Sequence, residues 1–303
     1  MCILVTGGSG MVGKFLKKIM PDAIYLSSKD CDLTDFYQVD KLWKEYNPSV
    51  VIHLAARVGG IIDNINYPAD YLEQNVLMNI NVLKASKKYN VDRLIAILST
   101  CIYPDLVESY PMDETDLHLG PPTPTNFSYG YAKRLMAVHI DSYNKQYGTK
   151  YQYLIPCNLY GEYDKFGQNS HFVAALIKKI IDAKNKNEKS ITLFGTGRPL
   201  RQFMYAEDLA KVIKICLDRN IYENFNVATN ENLTIKEIAE IAISSIGENK
   251  IEDIVFDVTK PDGQFRKDVS ISKLKQFIPE FIPTPLKDGI NKTFKYLMKN
   301  EKN

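Results

Sequence analysis

Two short segments hold the residues best suited to chemistry, with Ser99 in the first and Tyr129 and Lys133 in the second. Tyr129 and Lys133 are four residues apart, so on a helix they share one face. A free phenol has a pKa of about 10, and a nearby ammonium group would lower that pKa and ease proton exchange. Ser99 follows an apolar run and could polarise the carbonyl that Tyr129 protonates. We therefore predict hydride transfer at a carbonyl; a purely structural Tyr/Lys pair is the alternative.

Cys101 suggests a second reaction, because hydride transfer does not need a thiol. Carbons beside a ketone are acidic, and inverting such a carbon requires a base on one face and an acid on the other. A thiol, whose ordinary pKa of about 8.5 falls beside cations, is a workable base, and His171 is a workable acid. A buried inactive thiol and a capping or surface histidine are the alternatives for these two residues.

A glycine-rich segment directly follows the first predicted strand and opens the first predicted helix. Three of its glycines, Gly7, Gly10 and Gly13, recur every third residue, with Met11 and Val12 at the start of the helix. Glycine allows a tight turn and close backbone approach, and the helix N-terminus offers free N–H groups to a pyrophosphate. The segment predicts a dinucleotide site; a plain glycine-rich turn is the alternative.

The end of the second predicted strand indicates which dinucleotide binds. The strand is followed by Ser28 and Lys29, and no carboxylate occurs before Asp30. Serine and lysine suit a 2′-phosphate, so NADP(H) is favoured over NAD(H), with a solvated lysine as the alternative. Asp32 is a candidate for hydrogen bonding to the adenine, or for capping the helix that follows.

Composition excludes several function classes. The 303 residues are 45% hydrophobic and 24% charged, with a net charge of +2, which gives no case for nucleic-acid or membrane attraction. The cysteines are odd in number, scattered and without a CxxC pair, so we expect neither a disulfide framework nor a metal site. Reduced thiols and no signal segment fit a cytoplasmic protein. The cysteines are Cys2, Cys31, Cys101, Cys157 and Cys216.

Short apolar runs alternate with amphipathic segments in the first half of the chain. The predicted strands are Ile3–Thr6, Ala23–Leu26, Val50–Ala55, Arg93–Leu98 and Tyr151–Pro156. The predicted helices are Met11–Met20, Tyr37–Tyr46, Ala69–Tyr89 and Tyr129–Tyr147. This alternation predicts an α/β fold with a doubly wound parallel (Rossmann) sheet.

The pattern loosens after Cys157, which indicates a second, smaller α/β lobe that binds substrate. We predict a dinucleotide-binding domain over residues 1–160, with a return segment around 202–230, and the smaller lobe over 161–201 and 231–303. Predicted elements there are helices over His171–Ala183, Asp208–Leu217 and Pro285–Met298, a strand over Ile191–Phe194 and a capping box at Thr234 and Glu237.

These motifs resemble the GDP-L-fucose synthases, a family within the extended short-chain dehydrogenases/reductases. Matching segments run over nearly the whole chain. They are Gly7–Gly13, Ala55–Gly60, Ser99–Pro104, Tyr129–Lys133, Pro156–Gly161, Ser170–His171, Gly195–Phe203 and Lys260–Gly263. Dehydratases of the same superfamily usually carry an acidic pair where this chain has Thr100 and Cys101.

The resemblance implies an NADPH-dependent enzyme that inverts C3 and C5 of GDP-4-keto-6-deoxy-D-mannose and then reduces C4 to give GDP-L-fucose. It implies that Tyr129 donates a proton at C4 with Lys133 as its partner, that Ser99 contacts the carbonyl, and that Cys101 is the base and His171 the acid. Further cofactor contacts that it implies are Ala55, Ala56, Lys133, Pro156, Asn158, Leu159 and His171.

For the GDP end, the resemblance points to Lys179, Phe194, Arg201, Asp262 and Lys267. Lys179 on a solvated helix face is the alternative there. The resemblance also implies a homodimer packed through the helices at 69–89 and 129–147.

The chain departs from the family at three positions and leaves two other functions open. Ser9 stands where many members have an arginine that helps hold the 2′-phosphate, Phe194 where tryptophan is common, and Gln202 where an acid follows the arginine. The other functions are a reductase or epimerase for a different nucleotide sugar, and a non-catalytic NADP-binding regulatory protein.

Overall fold

The structure is a computed structural model of the chain that describes residues 2–166, 170–246 and 251–300. Its strands are β1 (Ile3–Thr6), β2 (Ile24–Leu26), β3 (Val50–His53), β4 (Arg93–Ile97), β5 (Tyr151–Pro156), β6 (Asn158–Tyr160), β7 (Ser190–Phe194), β8 (Leu200–Arg201), β9 (Phe203–Tyr205), β10 (Phe225–Val227), β11 (Leu233–Thr234) and β12 (Asp253–Asp257). Its α-helices are α1 (Met11–Ile19), α2 (Phe36–Tyr46), α3 (Ile61–Asn66), α4 (Pro68–Lys88), α5 (Phe127–Tyr147), α6 (Phe172–Lys186), α7 (Ala206–Asp218), α8 (Ile235–Ile246), α9 (Ser272–Phe277) and α10 (Leu286–Asn300).

The main sheet has the strand order β10-β5-β4-β3-β1-β2, and all of its pairs are parallel. Every residue of β3, β4 and β5 is buried, as expected for parallel strands with both faces covered. The chain runs from β1 to β2 on one side and returns to β3 on the other, so the strand order reverses at β1. Ligands of such folds bind outside the carboxyl ends of the strands at this point. The predicted α/β fold with a doubly wound sheet is confirmed.

The return segment brings the chain back to this sheet after α6 and β7. β9 pairs with β6 in parallel, α7 packs against α1, and β10 joins the main sheet beside β5. Outside the main sheet, β12 pairs with β7 in parallel and β11 pairs with β8 antiparallel.

Most predicted helices lie within a few residues of the observed ones, but α3, α9 and the strands β6 and β8–β12 were not predicted. α3 has only six residues, and polar residues interrupt its apolar ones. β12 has three consecutive apolar residues between two aspartates, and none of its positions is fully buried.

The structure tests two predictions about helix capping. The Thr234 and Glu237 side chains each accept a hydrogen bond from the other residue's backbone N–H, at 3.1 and 2.8 Å, which confirms the capping box. Asp35, and not Asp32, caps α2 by accepting from the Tyr37 N–H. The alternative capping role for Asp32 is wrong because its carboxylate accepts from the Thr34 N–H and hydroxyl, at 2.9 and 2.7 Å. Within the described ranges, no helix has both the length and the apolar character that crossing a membrane requires.

Candidate active site

The glycine-rich loop lies at the point where the strand order reverses. Gly7 has a φ of 70°, which L side chains rarely adopt, and a Cβ there would lie 2.8 Å from the backbone nitrogen of Ala55. Glycine therefore lets the β1 loop lie directly against the end of β3. Gly10 begins α1 without a side-chain cap, so the first N–H groups of the helix, at Met11 and Val12, are available to an anion. The loop fits a dinucleotide pyrophosphate.

The loop after β2 has the charge arrangement that a 2′-phosphate requires. Asp30 turns its carboxylate back to Ser27, accepting from the Ser27 N–H at 2.7 Å and its hydroxyl at 2.6 Å. These bonds hold the pKa of Asp30 below its ordinary value. Ser28 and Lys29 beside it are exposed, and no ion pair among the described residues involves Lys29.

Ser99 and Cys101 lie in a short turn of 3₁₀ helix directly after β4. The Cys101 N–H donates to the Ser99 hydroxyl at 3.3 Å, so Ser99 caps the turn. Arg134 of α5 donates to the carbonyls of Ile102 and Gly120, at 2.7 and 2.8 Å, which ties α5 to this turn. A Cβ at Gly130 would lie 2.6 Å from the Cys101 carbonyl, so glycine allows the first turn of α5 to approach it. These contacts bring Tyr129 and Cys101 together, close enough that the thiol contributes to raising the phenol pKa.

The thiol of Cys101 lies beside a lysine from the other end of the chain. Lys267 Nζ is 3.5 Å from Cys101 Sγ. Burial raises the pKa of Cys101, but the Lys267 charge and hydrogen bonds from Ser99, Lys267 and Asn126 outweigh burial, so the pKa lies below its ordinary value. The resemblance placed Lys267 at the GDP end, whereas the structure places its ammonium group on the thiol. The sequence analysis missed Asn126, which directly precedes α5.

Tyr129 and Lys133 are on α5 as predicted, but their electrostatics differ from the prediction. Burial, with smaller contributions from Cys101 and Tyr71, raises the pKa of Tyr129 far above its ordinary value. Lys133 is buried, and its ammonium group donates to the Ile97 carbonyl at the end of β4 at 2.8 Å. The expectation that Lys133 lowers the phenol pKa is therefore wrong for this structure, because the ammonium group binds a carbonyl oxygen of the sheet. Burial lowers the pKa of Lys133 to about 8.

His171 immediately precedes α6 but does not cap it with its side chain. Its Nδ1 is 2.8 Å from Oδ1 of Asp164, a residue that the sequence analysis missed. The hydrogen bond and charge of Asp164 raise the pKa of His171, while burial and Lys165 oppose them. Among the described contacts, none joins His171 to Cys101.

The remaining predicted cofactor residues surround the ends of β3 and β5. The Ala55 N–H donates to the Thr6 hydroxyl at 3.3 Å, and Ala56 is half-buried beside it. Pro156 ends β5, and Leu159 lies in β6. The Asn158 side chain donates to the Gln202 carbonyl at 2.8 Å, so its amide joins β6 to the return segment.

The predicted substrate residues Lys179 and Phe194 lie together on the second lobe. The Phe194 side chain is 57% exposed. Lys179 Nζ is 5.9 Å from the centre of its ring and Lys260 Nζ 6.0 Å, so an exposed aromatic face is flanked by two cations. The sequence analysis did not assign a role to Lys260. Lys178, the neighbour of Lys179, pairs with Asp182 at 2.7 Å instead.

Arg201 and Asp262 are held by backbone contacts between β8 and the Pro261–Gly263 turn. Arg201 donates to the Leu200 carbonyl at 2.8 Å, and burial lowers its pKa. Both Asp262 oxygens accept from Thr196, from its N–H at 2.6 Å and its hydroxyl at 2.8 Å. The Asp262 carboxylate therefore fixes the turn after β7 beside Phe194.

Gln202, one of the family departures, is buried away from the exposed aromatic face. Its side chain accepts from the Val269 N–H at 2.9 Å and donates to the Thr229 carbonyl at 2.8 Å. The amide satisfies an acceptor and a donor at once, which explains why an uncharged residue fits this position.

Several cations of the second lobe form no ion pair in the described part of the chain, and four of them lie beside Phe194, the Pro261–Gly263 turn or Cys101. They are Lys179, Arg201, Lys260 and Lys267. Cations that form no ion pair among the described residues, and that lie near an exposed aromatic ring, are suited to an anionic ligand such as a diphosphate.

Comparisons with known proteins show which family this chain is similar to. Residues 3–228 match the model of the NAD dependent epimerase/dehydratase family. The chain is 38% identical to a GDP-L-fucose synthase of Dictyostelium discoideum, covering 98% of this chain and 95% of that protein. It is 36% identical to a GDP-L-colitose synthase of Yersinia pseudotuberculosis, covering 100% and 99% of the two chains. Among solved structures, a GDP-L-fucose synthetase of Naegleria fowleri bound to NADP is 31% identical with a TM-score of 0.87, covering 100% of this chain and 95% of that one.

Proposed function

The chain belongs to the NAD dependent epimerase/dehydratase family, and we propose that it is a GDP-L-fucose synthase. It inverts C3 and C5 of GDP-4-keto-6-deoxy-D-mannose and then reduces C4 with NADPH. The observation that carries the proposal is the Cys101 thiol, 3.5 Å from the Lys267 ammonium group and in the same pocket as Tyr129. A thiol with a lowered pKa has no task in hydride transfer alone, but it is suited to removing a proton beside a ketone.

Inversion uses the C4 ketone as an electron acceptor. The Cys101 thiolate takes the proton from C3 or C5, and the electron pair of that C–H bond becomes the enolate of the C4 carbonyl. Hydrogen bonds from Ser99 and Tyr129 stabilise the oxygen charge. His171 then returns a proton to the opposite face of the same carbon, and its own N–H bond breaks. Because both carbons flank one ketone, the same polarised carbonyl serves both inversions.

Reduction uses the same carbonyl and a different acid. Bound NADPH supplies the hydride to C4. Tyr129 then donates its proton to the oxygen that gains negative charge, and its raised pKa means that the phenol is protonated at neutral pH. Lys133, held at the Ile97 carbonyl, lies one helical turn away from Tyr129, and its proposed role is to bind the nicotinamide ribose beside the phenol.

NADP(H) is the cofactor of this proposal. Gly7, Gly10, Gly13, Met11 and Val12 would hold the pyrophosphate. The remaining contacts of the proposal are Ser28 and Lys29 at the 2′-phosphate, Asp32 at the adenine, Lys133 at the ribose, and Ala55, Ala56, Pro156, Asn158, Leu159 and His171 along the cofactor. Lys29, which is exposed and forms no ion pair among the described residues, and an Asp30 turned towards Ser27 support the 2′-phosphate assignment.

The GDP end of the substrate would lie on the second lobe. Arg201 and Lys179 would bind the diphosphate, Phe194 would pack on the base or sugar, and Asp262 would hold the turn beside it. Lys267 serves Cys101 and adds charge at the sugar end. Lys179, Arg201, Lys260 and Lys267, which form no ion pair in the part of the chain that the structure describes, support this placement.

The domain boundaries and the assembly are proposed on the same basis. Residues 1–160, with 202–230 returning, form the NADP-binding domain, and 161–201 with 231–303 form the nucleotide-sugar lobe; β10 in the main sheet supports the return. We propose a cytoplasmic homodimer packed through α4 and α5. All five cysteines are free thiols, and exposed apolar side chains recur along α5 at helical spacing. They are Phe127, Tyr131, Leu135 and Val138.

A product assay with NADPH and NADH in parallel tests the function. With GDP-4-keto-6-deoxy-D-mannose, the purified protein should oxidise NADPH faster than NADH and yield GDP-L-fucose. Turnover only with another nucleotide 4-ketosugar would reject the substrate assignment, and the relative named GDP-L-colitose synthase makes such a substrate the second candidate. Tight NADPH binding without turnover on any of them would favour a regulatory protein instead.

A further inference from the structure

The carboxylate that contacts His171 belongs to a loop residue that no part of the proposed reaction uses. Asp164 Oδ1 is 2.8 Å from His171 Nδ1, with 4% of the Asp164 side chain exposed against 42% of the His171 side chain. The pair therefore has a buried end at the carboxylate and an open end at the imidazole. Since the His171 side chain does not cap α6, its ring is held by Asp164 alone among the described hydrogen bonds.

The charge of Asp164 has few other partners. Its Oδ1 also accepts the Lys165 N–H at 2.8 Å, but its Oδ2 is buried without a hydrogen-bond partner among the described residues. His171 is the only residue that forms an ion pair with Asp164 in the described part of the chain. A buried carboxylate is costly unless a positive charge neutralises it, so the pair is more stable when the imidazole carries its second proton. Lys165, the other charged residue that acts on His171, opposes this effect and lies on the exposed side.

The hydrogen bond also decides which ring nitrogen can act. With Nδ1–H directed at the carboxylate, Nε2 is the nitrogen that remains for the substrate. When Nε2–H is delivered to a carbon, the Nε2–H bond breaks, the C–H bond forms from the enolate electron pair, and a neutral imidazole remains with Nδ1–H still on Asp164. Because the ring is partly exposed, water can return the proton to Nε2.

We propose that Asp164 is a positioning residue for inversion, which keeps His171 protonated and directs its Nε2–H into the pocket. This rests on the proposed function of His171 as the acid. It assigns no role to Asp164 in hydride transfer, which Tyr129 and Lys133 serve from α5.

The Asp164→Asn variant tests the proposal through solvent deuterium entering C3 and C5. Asparagine keeps the shape and a hydrogen-bond acceptor but removes the charge. Exchange at about pH 8 should fall by about tenfold for each unit by which the variant lowers the His171 pKa, because the protonated fraction of the imidazole falls in the same proportion there. The alkaline limb of the pH profile should move to lower pH, and Asp164→Glu should restore part of the rate. Asp164→Asn should cause no further loss in a His171→Asn background.

A matched control is Asp182→Asn, which removes an acidic residue paired with Lys178 on the far part of α6. It should leave exchange and its pH profile unchanged. NADPH binding by fluorescence should be the same in Asp164→Asn, Asp164→Glu and Asp182→Asn, all of which keep His171, and this separates the proposal from a general loss of structure.

The state of His171 in the wild-type protein provides a second measurement that does not depend on a folded variant. A ¹⁵N titration of the ring nitrogens should give a His171 pKa above the ordinary value of about 6.5, with Nδ1 protonated throughout. A lower pKa, or exchange in Asp164→Asn with an unchanged rate and pH profile, would overturn the proposal. If wild-type protein neither exchanges deuterium nor forms GDP-L-fucose, the proposed function itself fails. The titration still decides whether Asp164 keeps His171 protonated.

Discussion

The two residues proposed for inversion each lie beside a side chain of opposite charge. Cys101 Sγ is 3.5 Å from the Lys267 ammonium group, and His171 Nδ1 is 2.8 Å from the Asp164 carboxylate. The two residues proposed for reduction lie in surroundings that oppose their charged forms. Burial raises the pKa of Tyr129, and it lowers the pKa of Lys133 to about 8.

The difference follows from when each group needs its charge. A base that removes a carbon-bound proton must be ionised before the reaction starts, and the acid opposite it must already carry a proton. Tyr129, by contrast, must keep its proton until hydride transfer creates an oxygen anion. A phenol with a raised pKa does so, and the charge that then forms is close to Lys133. One pocket therefore needs charged partners for inversion and a dry environment for reduction.

Replacing the base should separate the two halves most strongly. In Cys101→Ser, exchange of deuterium into C3 and C5 should fall by about 10²- to 10⁴-fold, the range that one acid–base group contributes. A serine hydroxyl is not ionised near neutral pH, even beside Lys267. NADPH binding, measured by fluorescence, should stay at the wild-type value. Undiminished exchange would show that Cys101 is not the base.

The reciprocal change is Tyr129→Phe, which removes the acid for reduction and keeps the ring. NADPH oxidation should fall by about 10²-fold or more. Exchange at C3 and C5 should fall much less, because Ser99 still polarises the carbonyl and Cys101 and His171 remain. Mass spectrometry of the 4-ketosugar recovered from heavy water measures exchange, and absorbance measures NADPH. Equal losses of both activities would mean that inversion depends on Tyr129 as strongly as reduction does.

Removing the charge beside the thiol should produce a pH-dependent loss. In Lys267→Met the pKa of Cys101 should rise, because burial then acts without the ammonium group. Exchange, which requires the thiolate, should move its acidic limb to higher pH and fall about tenfold near neutral pH for each unit of that rise. The pH dependence of alkylation by iodoacetamide reports the thiol pKa directly.

A matched control for that experiment is Lys260→Met, at a lysine beside Phe194 rather than beside the thiol. It should weaken substrate binding without moving the alkylation profile. A profile that shifts equally in both variants would attribute the lowered thiol pKa to the general positive field of the second lobe.

How much of this could be predicted from the sequence depends on how local each feature is. The β3 run, the glycine loop and α5 depend on periodicity and turn residues a few positions apart, and each was predicted. Lys267 and Cys101 are 166 positions apart. They meet because Gln264 donates to the Asp105 carbonyl at 3.0 Å and Met112 bridges to Val269, contacts without any sequence signal.

Contacts between residues that are close in the sequence could not all be predicted either. Asp164 lies seven positions before His171 in a polar loop, where no periodicity selects one carboxylate. The Tyr129/Lys133 spacing correctly predicts one helix face, but not that a buried ammonium group takes the nearest backbone acceptor, the Ile97 carbonyl. Partners of a charged group are set by tertiary burial, so the sequence identifies the reactive residues better than their charge states.

The smallest expected effect concerns the cofactor and affects only the reductive half. In Lys29→Ala the preference for NADPH over NADH should fall about tenfold, because one charge-assisted hydrogen bond contributes about 1.5 kcal/mol. The ratio of kcat/KM for the two cofactors measures the preference. Exchange at C3 and C5, which consumes no hydride, should be unchanged at saturating NADPH. An unaltered preference would instead assign the 2′-phosphate to other groups of this loop, since Ser9 in the glycine-rich segment carries no charge.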